Sequence, residues 1–326
     1  MRLPAFISIL LLGGLALETL AAESLLEACW SPEALRVALP TDRIQSHRPA
    51  DHAPPERQVP SQRPPPLATH HGSIRSVLLP DGEKLLALTF DLCERSTEIT
   101  GYDARIIDLL REEDVAATFY AGGKWMRSHP ERTQQLMADP RFEIGNHAWT
   151  HGNLRVLRGQ DLADQILWTQ AEYERLREQL LARPCAQGVA PSQRTRIPPV
   201  PATFRFPFGA CDKVALDAVA EAGLSAIQWD VVSGDPVRDQ SAERMAEAVL
   251  ARVRPGSIVI AHANRRGWQT AEALAILIPA LRERGYRFVT VSELLRAGEP
   301  VSVETCYELE PGDNLHYDQL FGAGTE

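Results

Sequence analysis

The chain has 326 residues, 44% hydrophobic and 24% charged, which is enough apolar material for one large domain or two small ones. Lys and Arg number 34 against 43 Asp and Glu, a formal net charge of -9. That balance offers no cationic surface for phosphates, so it argues against a nucleic-acid binder, and the composition as a whole is not that of a disordered chain.

Met1-Arg2 is a short positive start, Leu3 to Leu17 is an apolar run, and Thr19-Leu20-Ala21 supplies small residues at the spacing a signal peptidase reads. Residues 1–21 therefore read as a secretory signal peptide, and the protein as secreted or periplasmic. An uncleaved anchor is the alternative, although the run is marginal for a bilayer span. The sequence holds no second long apolar stretch, so no stable membrane span is expected after cleavage. Residues 22–71 are dense in proline, including Pro54, Pro55, Pro64, Pro65 and Pro66, and read as an extended linker without a core. His70-His71 at its end reads as a solvated pair.

From residue 72 to 298, short apolar runs alternate with amphipathic stretches. Strands are expected at Leu85–Phe90, Val115–Tyr120, Phe142–Gly145, Thr203–Pro207, Leu224–Val232, Ser257–Ala261 and Tyr286–Val291. Helical spacing covers Tyr102–Glu113, Lys124–Ala138, Leu162–Leu181, Asp212–Ala222, Ala242–Arg252 and Ala271–Arg284, and Ser292 can cap a last short helix. Such alternation predicts an α/β fold with a parallel sheet, best met by a distorted (β/α)7-type barrel in a single domain. An open doubly wound sheet is the runner-up, but no Gly-rich phosphate loop follows the first strand. The proline-rich stretch Arg183–Pro201 reads as a lid, a groove wall or an insertion, and residues 299–326 read as a surface tail. The five cysteines, Cys29, Cys93, Cys185, Cys211 and Cys306, show no CxxC spacing, and the odd count leaves at least one unpaired.

Reactive side chains recur at the carboxyl ends of the predicted strands. These are Asp91, His147 with His151, Arg205-Phe206-Pro207-Phe208, Asp230 with Asp235, and His262. In an α/β barrel those ends share one rim, which is where chemistry sits. His147 and His151 stand at i and i+4, so one helical turn would aim both rings at one ion. Imidazoles favour zinc among divalent ions, and the ligand types leave others open. Taken singly, Asp91 could be a helix cap, Arg205 a structural ion pair and His262 a core histidine. Trp149 and Trp229 could stack on a sugar ring or fill the core.

The ordered motifs Thr89-Phe90-Asp91, His147-x-x-x-His151, Arg205-x-Pro207-Phe208, Asp235 and Ile260-x-His262 resemble those of the polysaccharide deacetylases of carbohydrate esterase family four. The resemblance spans roughly Leu85 to Leu295 and implies a distorted barrel that removes acetyl groups from a sugar with the help of a metal. It implies Asp91 as general base, paired with and kept ionised by Arg205, and His262 as general acid, oriented by Asp235. It also implies His147 and His151 as metal ligands and the Phe208 amide as an oxyanion donor. The expected partner is an N-acetylated glycan such as peptidoglycan, poly-N-acetylglucosamine or chitin.

This sequence departs from the family pattern at several places. Leu92 stands where the family places a second, metal-binding Asp, and leucine cannot ligate. Glu94 with its longer arm is the favoured replacement. Coordination by Asp91, by the two histidines and water, or by Cys93 are the alternatives, and Cys93 could instead pair with Cys211. Val232 and Pro236 replace the Asp and Trp usually found near Asp235. A deformylase- or imidase-type amide hydrolase, or a non-catalytic sugar-binding relative, therefore remain competing readings.

Overall fold

The computed structural model describes residues 24–65, 67 and 72–322. The predicted signal peptide and His70-His71 lie outside the described residues. Ten strands occur among them: β1 (Ser73–Leu78), β2 (Leu85–Leu92), β3 (Ala117–Ala121), β4 (Phe142–Asn146), β5 (Thr203–Phe204), β6 (Ser225–Ala226), β7 (Val231–Val232), β8 (Ile258–His262), β9 (Arg287–Phe288) and β10 (Glu299–Val303). The main sheet runs β6-β5-β4-β3-β2-β8-β7, with β9 pairing the start of β2. All its pairings are parallel, and it curls into a distorted seven-stranded half-barrel, as the alternating pattern predicted. β1 lies across the open side, where Gln228 N–H donates to Ile74 O at 2.7 Å and Val77 N–H donates to Gly256 O at 2.9 Å.

Alternation along each strand sorts the core into two layers. On β2, Leu86, Leu88, Phe90 and Leu92 face the outer helices, packing with Phe119, Ile144, Val259 and Ala261. Leu85 and Ala87 face the concave side, with Tyr120, Trp229, Ile258 and Ile260. The helix Val291–Ala297 closes the amino-terminal end of that concave side with Val291, Leu294 and Leu295.

Several expectations need correction. The single strand expected over Leu224–Val232 is two strands at opposite edges of the sheet, because Ile227 and Trp229 turn inward and fill the open side. The helix expected over Lys124–Ala138 breaks at His129, since the residue before Pro130 cannot hold a helical conformation. Thr290, not Ser292, caps the last core helix, in a capping box with Glu293. The Ser292 amide instead donates to Glu143 at 3.0 Å.

The proline-rich segment is not a free linker. Leu25, Leu26 and Trp30 are buried in the main core, Cys29 is bonded to Cys185, and Asp42 pairs with buried Arg132 at 2.6 Å. Its prolines open short helical turns, and the apolar residues that dock on the barrel are Leu25, Leu26 and Trp30 around them. The carboxyl-terminal segment is likewise anchored. β10 runs antiparallel to β1, and Cys306 is bonded to Cys211. The stretch Arg183–Pro201 is no lid, since Arg196 donates to Asp139 O at 3.2 Å, at the end of the barrel remote from the strand carboxyl ends. No helix of the described residues is long and apolar enough to cross a membrane.

Cys211 and Cys306 are 95 residues apart, so their bond removes much freedom from the unfolded chain. Replacing both by serine is expected to cost roughly 2–5 kcal/mol in urea unfolding at pH 7. An unchanged midpoint and slope would show that the carboxyl-terminal segment does not brace the fold.

Candidate active site

Register and alternation together collect the reactive groups. Thr89 and Asp91 follow Leu85 and Ala87 onto the concave face, Arg205 follows Thr203 there, and His262 follows Ile258 and Ile260. Parallel pairing sets Asp91 directly beside His262, and Asn146 beside Phe204. The side chains therefore meet at the carboxyl-terminal mouth of the half-barrel.

Arg205 is fully buried and crosses the concave face. Its Nη1 donates to Asp91 Oδ1 at 2.9 Å and to Thr89 Oγ1 at 2.8 Å, and the guanidinium lies 4.0 Å from the Tyr120 ring centroid. Burial pushes the Asp91 carboxyl up, but the charge of Arg205, helped by His147 and His262, outweighs it and holds the pKa below the usual carboxylate value. The Arg205–Asp91 contact expected from the motifs is thus present.

His147 and His151 do not share a helical turn. Ala148 and His151 both adopt left-handed backbone, with φ of 63° and 57°, and the loop between them folds back on itself. Asn146 Oδ1 accepts from Ala148 N–H at 2.9 Å, and Gln165 Oε1 accepts from Thr150 N–H at 3.0 Å. This buried polar clamp, rather than helical spacing, brings the two rings to 4.9 Å. His147 Nδ1 faces the Arg205 carbonyl at 2.9 Å, and a carbonyl only accepts, so Nδ1 carries the hydrogen. Its Nε2 is then a bare lone pair, buried without a hydrogen-bond partner and 3.5 Å from Asp91 Oδ2. Burial lowers the pKa of both imidazoles, that of His151 well below the ordinary value. Neutral rings of this kind are ready metal donors.

Glu94 is not with them. It is fully buried on another side, accepting from Lys124 Nζ at 2.9 Å, Ser128 Oγ at 2.6 Å and Thr100 N–H at 3.0 Å. Its oxygens are taken by that network, which corrects the expectation that it replaces the missing Asp. Leu92 points outward into the helix-facing core, as its parity requires. Cys93, the next inward position, places its sulfur with one ring nitrogen each of His147 and His151, all within 4.8 Å of one another. It is the free cysteine, so the pairing with Cys211 considered from sequence does not occur.

Asp235 and His262 form a tight pair. Asp235 Oδ1 is 2.9 Å from His262 Nδ1, while Oδ2 accepts from the His262 amide at 2.6 Å and from Thr270 Oγ1 at 2.9 Å. Gly267 lets this carboxylate sit close, because a Cβ there would lie 2.3 Å from Asp235 Oδ2. Burial disfavours the imidazolium of His262, but the charge and hydrogen bond of Asp235 more than offset it, so its pKa is raised.

Pro207 opens a tight turn in which Phe208 takes φ of 60°. Asn314, buried and drawn from the carboxyl-terminal segment, donates to the Phe208 carbonyl at 3.2 Å and also bonds the Gly209 carbonyl. The Phe208 ring lies 4.4 Å from His151 and stacks on Phe321 at 4.5 Å, with Tyr317 at 4.9 Å. Trp149 and Trp229 are core residues. Trp149 packs edge-on to Trp168 at 5.7 Å, and Trp229 Nε1 donates to Glu308 O at 2.9 Å beneath Arg205. Neither is exposed enough to take a sugar. Asn264, Thr270, Gln165 and Asn314 were not evident as site residues. Only Asn264 carried a signal, as a polar residue two positions past His262, just beyond the end of β8.

Comparison with known proteins fits this arrangement. The family described as polysaccharide deacetylase matches residues 79–185. A peptidoglycan-N-acetylglucosamine deacetylase of Bacillus cereus is 32% identical over 224 residues, covering 67% of this chain and 91% of that protein. A chitooligosaccharide deacetylase of Bradyrhizobium sp. is 29% identical over 202 residues, covering 58% and 82%. A solved family 4 acetyl xylan esterase from Clostridium thermocellum, in complex with a cobalt ion, superposes with a TM-score of 0.53 at 27% identity, over 70% of this chain and 100% of the other. Likeness that runs through 91% of a deacetylase, on a half-barrel of the same kind, establishes that the chain belongs to the polysaccharide deacetylase family.

Proposed function

We propose that the protein is an exported, metal-dependent hydrolase that removes N-acetyl groups from N-acetylglucosamine residues of a glycan. The observation that carries the reading is the meeting of Asp91, His147, His151 and His262 at one mouth, with Arg205 and Asp235 behind them. Export is supported by the two disulfides, Cys29–Cys185 and Cys211–Cys306, which need an oxidising compartment to persist.

The residues fit a divalent cation, zinc first, because two neutral imidazoles converge and one presents a buried, unpartnered nitrogen. His147 and His151 would hold it. Such a cation supplies Lewis-acid polarisation of the amide and a water of lowered pKa. Asp91 takes the proton of the attacking water, and Arg205 keeps that carboxylate ionised and fixes its orientation. Asp235 holds His262 by Nδ1, which leaves Nε2 to protonate the departing amine. The amide of the Phe208 turn is the proposed oxyanion donor, a contribution of a few kcal/mol at such sites.

Acetate release from N-acetylglucosamine oligomers by zinc-loaded protein tests the reading, with a new free amine for each acetate. Asp91→Asn should lower kcat by ~10²–10⁴-fold while the protein still binds zinc. Zinc-loaded wild type that releases no acetate from chitin- or peptidoglycan-derived oligomers would refute the deacetylase assignment. The pH profile tests the acid. Its protonated form is needed, and Asp235 raises its pKa, so activity should fall as pH rises through that value. Asp235→Asn should therefore move the alkaline limb to lower pH, and an unmoved limb would remove His262 from that role.

A further inference from the structure

Five cysteines are present, and four of them are closed in disulfides. Cys93 is the one left as a thiol. In a chain that otherwise oxidises its cysteines, a retained thiol needs a reason, and its position supplies one. Beyond the end of β2 the alternation that turns Leu92 outward turns Cys93 inward. There its sulfur lies within 4.8 Å of one ring nitrogen each of His147 and His151. The second, independent sign of a ligand is His147 Nε2, a buried acceptor with no hydrogen-bond partner.

Of the other candidate donors only Asp91 keeps an oxygen near the rings, its Oδ2 at 3.5 Å from His147 Nε2. Glu94 is occupied by Lys124, Ser128 and Thr100. Asp91 gives one oxygen to Arg205, and Leu92 has no donor atom. Cys93 is also held in place from behind. Asn264 Nδ2 donates to Cys93 Sγ at 3.1 Å and to Cys93 O at 2.8 Å, an outer partner of the kind that orients a ligand and stabilises its charge.

We propose that Cys93 is the third protein ligand of the cation, giving a two-imidazole, one-thiolate set in place of an oxygen-containing one; this rests on the metal-dependent reading above. Three protein donors leave a position open for water or substrate. A thiolate makes the set softer, so it selects zinc or cobalt(II) over magnesium, calcium and manganese, which prefer oxygen. It also frees the Asp91 carboxylate to act on water alone.

Cobalt(II) titrated anaerobically into metal-free full-length protein is the test. The wild type should develop a near-ultraviolet sulfur-to-cobalt charge-transfer absorption that saturates with the visible ligand-field bands. Cys93→Ser should lose that absorption and bind cobalt more weakly, by more than the roughly 10–100-fold typical of losing an outer partner. Cys93→Asp should keep the ligand-field bands without the charge-transfer feature, which guards against a variant that merely fails to fold. Cobalt bound by the wild type without sulfur absorption, and lost in His147→Ala, would overturn the thiolate proposal and leave the deacetylase reading standing. A wild type that binds neither cobalt nor zinc would overturn both.

Discussion

Side chains on a strand alternate faces, and in a curled parallel sheet one of those faces is concave. That constraint organises the molecule. Thr89, Asp91, Arg205 and His262 share parity with the inward-facing apolar residues of their strands, and register puts their ends level. The intervening residues, Leu88, Phe90, Leu92 and Ala261, are bound by the same rule to the helix-facing core. A one-residue slip of β2 would exchange the two sets and bury a leucine where the carboxylate stands. The Asp91–Arg205 pair reinforces the register, since an ion pair with both partners buried is strongly destabilised if either is removed.

The groups outside the strands are held by other means, each with a recognisable cost. Two left-handed residues, Ala148 and His151, carry the imidazoles to the mouth, and a third, Phe208, turns the chain after Arg205. Strain of that kind persists only where surrounding contacts over-determine it. Here Asn146 and Gln165 clamp the first loop, while Asn314 clamps the second. Asn314 comes from the carboxyl-terminal segment, itself secured by Cys211–Cys306 and by Arg155, which meets Asp318 at 2.8 Å. The segment that looked like a tail is therefore part of the scaffold that shapes the mouth.

The strands β2, β3, β4 and β8 and most helices were legible because their apolar spacing is strong and local. The split of one expected strand into β6 and β7 was not, since Ile227 and Trp229 are apolar whether they continue a strand or turn inward. The docking of residues 24–65 was hidden by proline content, which describes the backbone and not the few apolar side chains that find the core. At the candidate site, motif order singled out Asp91, His147, His151, Arg205, Asp235 and His262, which the fold brings together. It misplaced Glu94, because reach was weighed without the buried Lys124 that claims the carboxylate. Strand parity from Leu85 onward carries the signal that reach did not: it turns Leu92 outward and Cys93 inward.

The central claim is spatial: one cation belongs at the mouth of the half-barrel, with the acid and base on its border. Anomalous scattering from zinc-soaked crystals, recorded on both sides of the zinc absorption edge, measures that directly. The account predicts one strong peak between His147 and His151, with Asp91 and His262 facing it across the mouth. A peak seated at Glu94, or on the protein surface with the mouth empty, would contradict it.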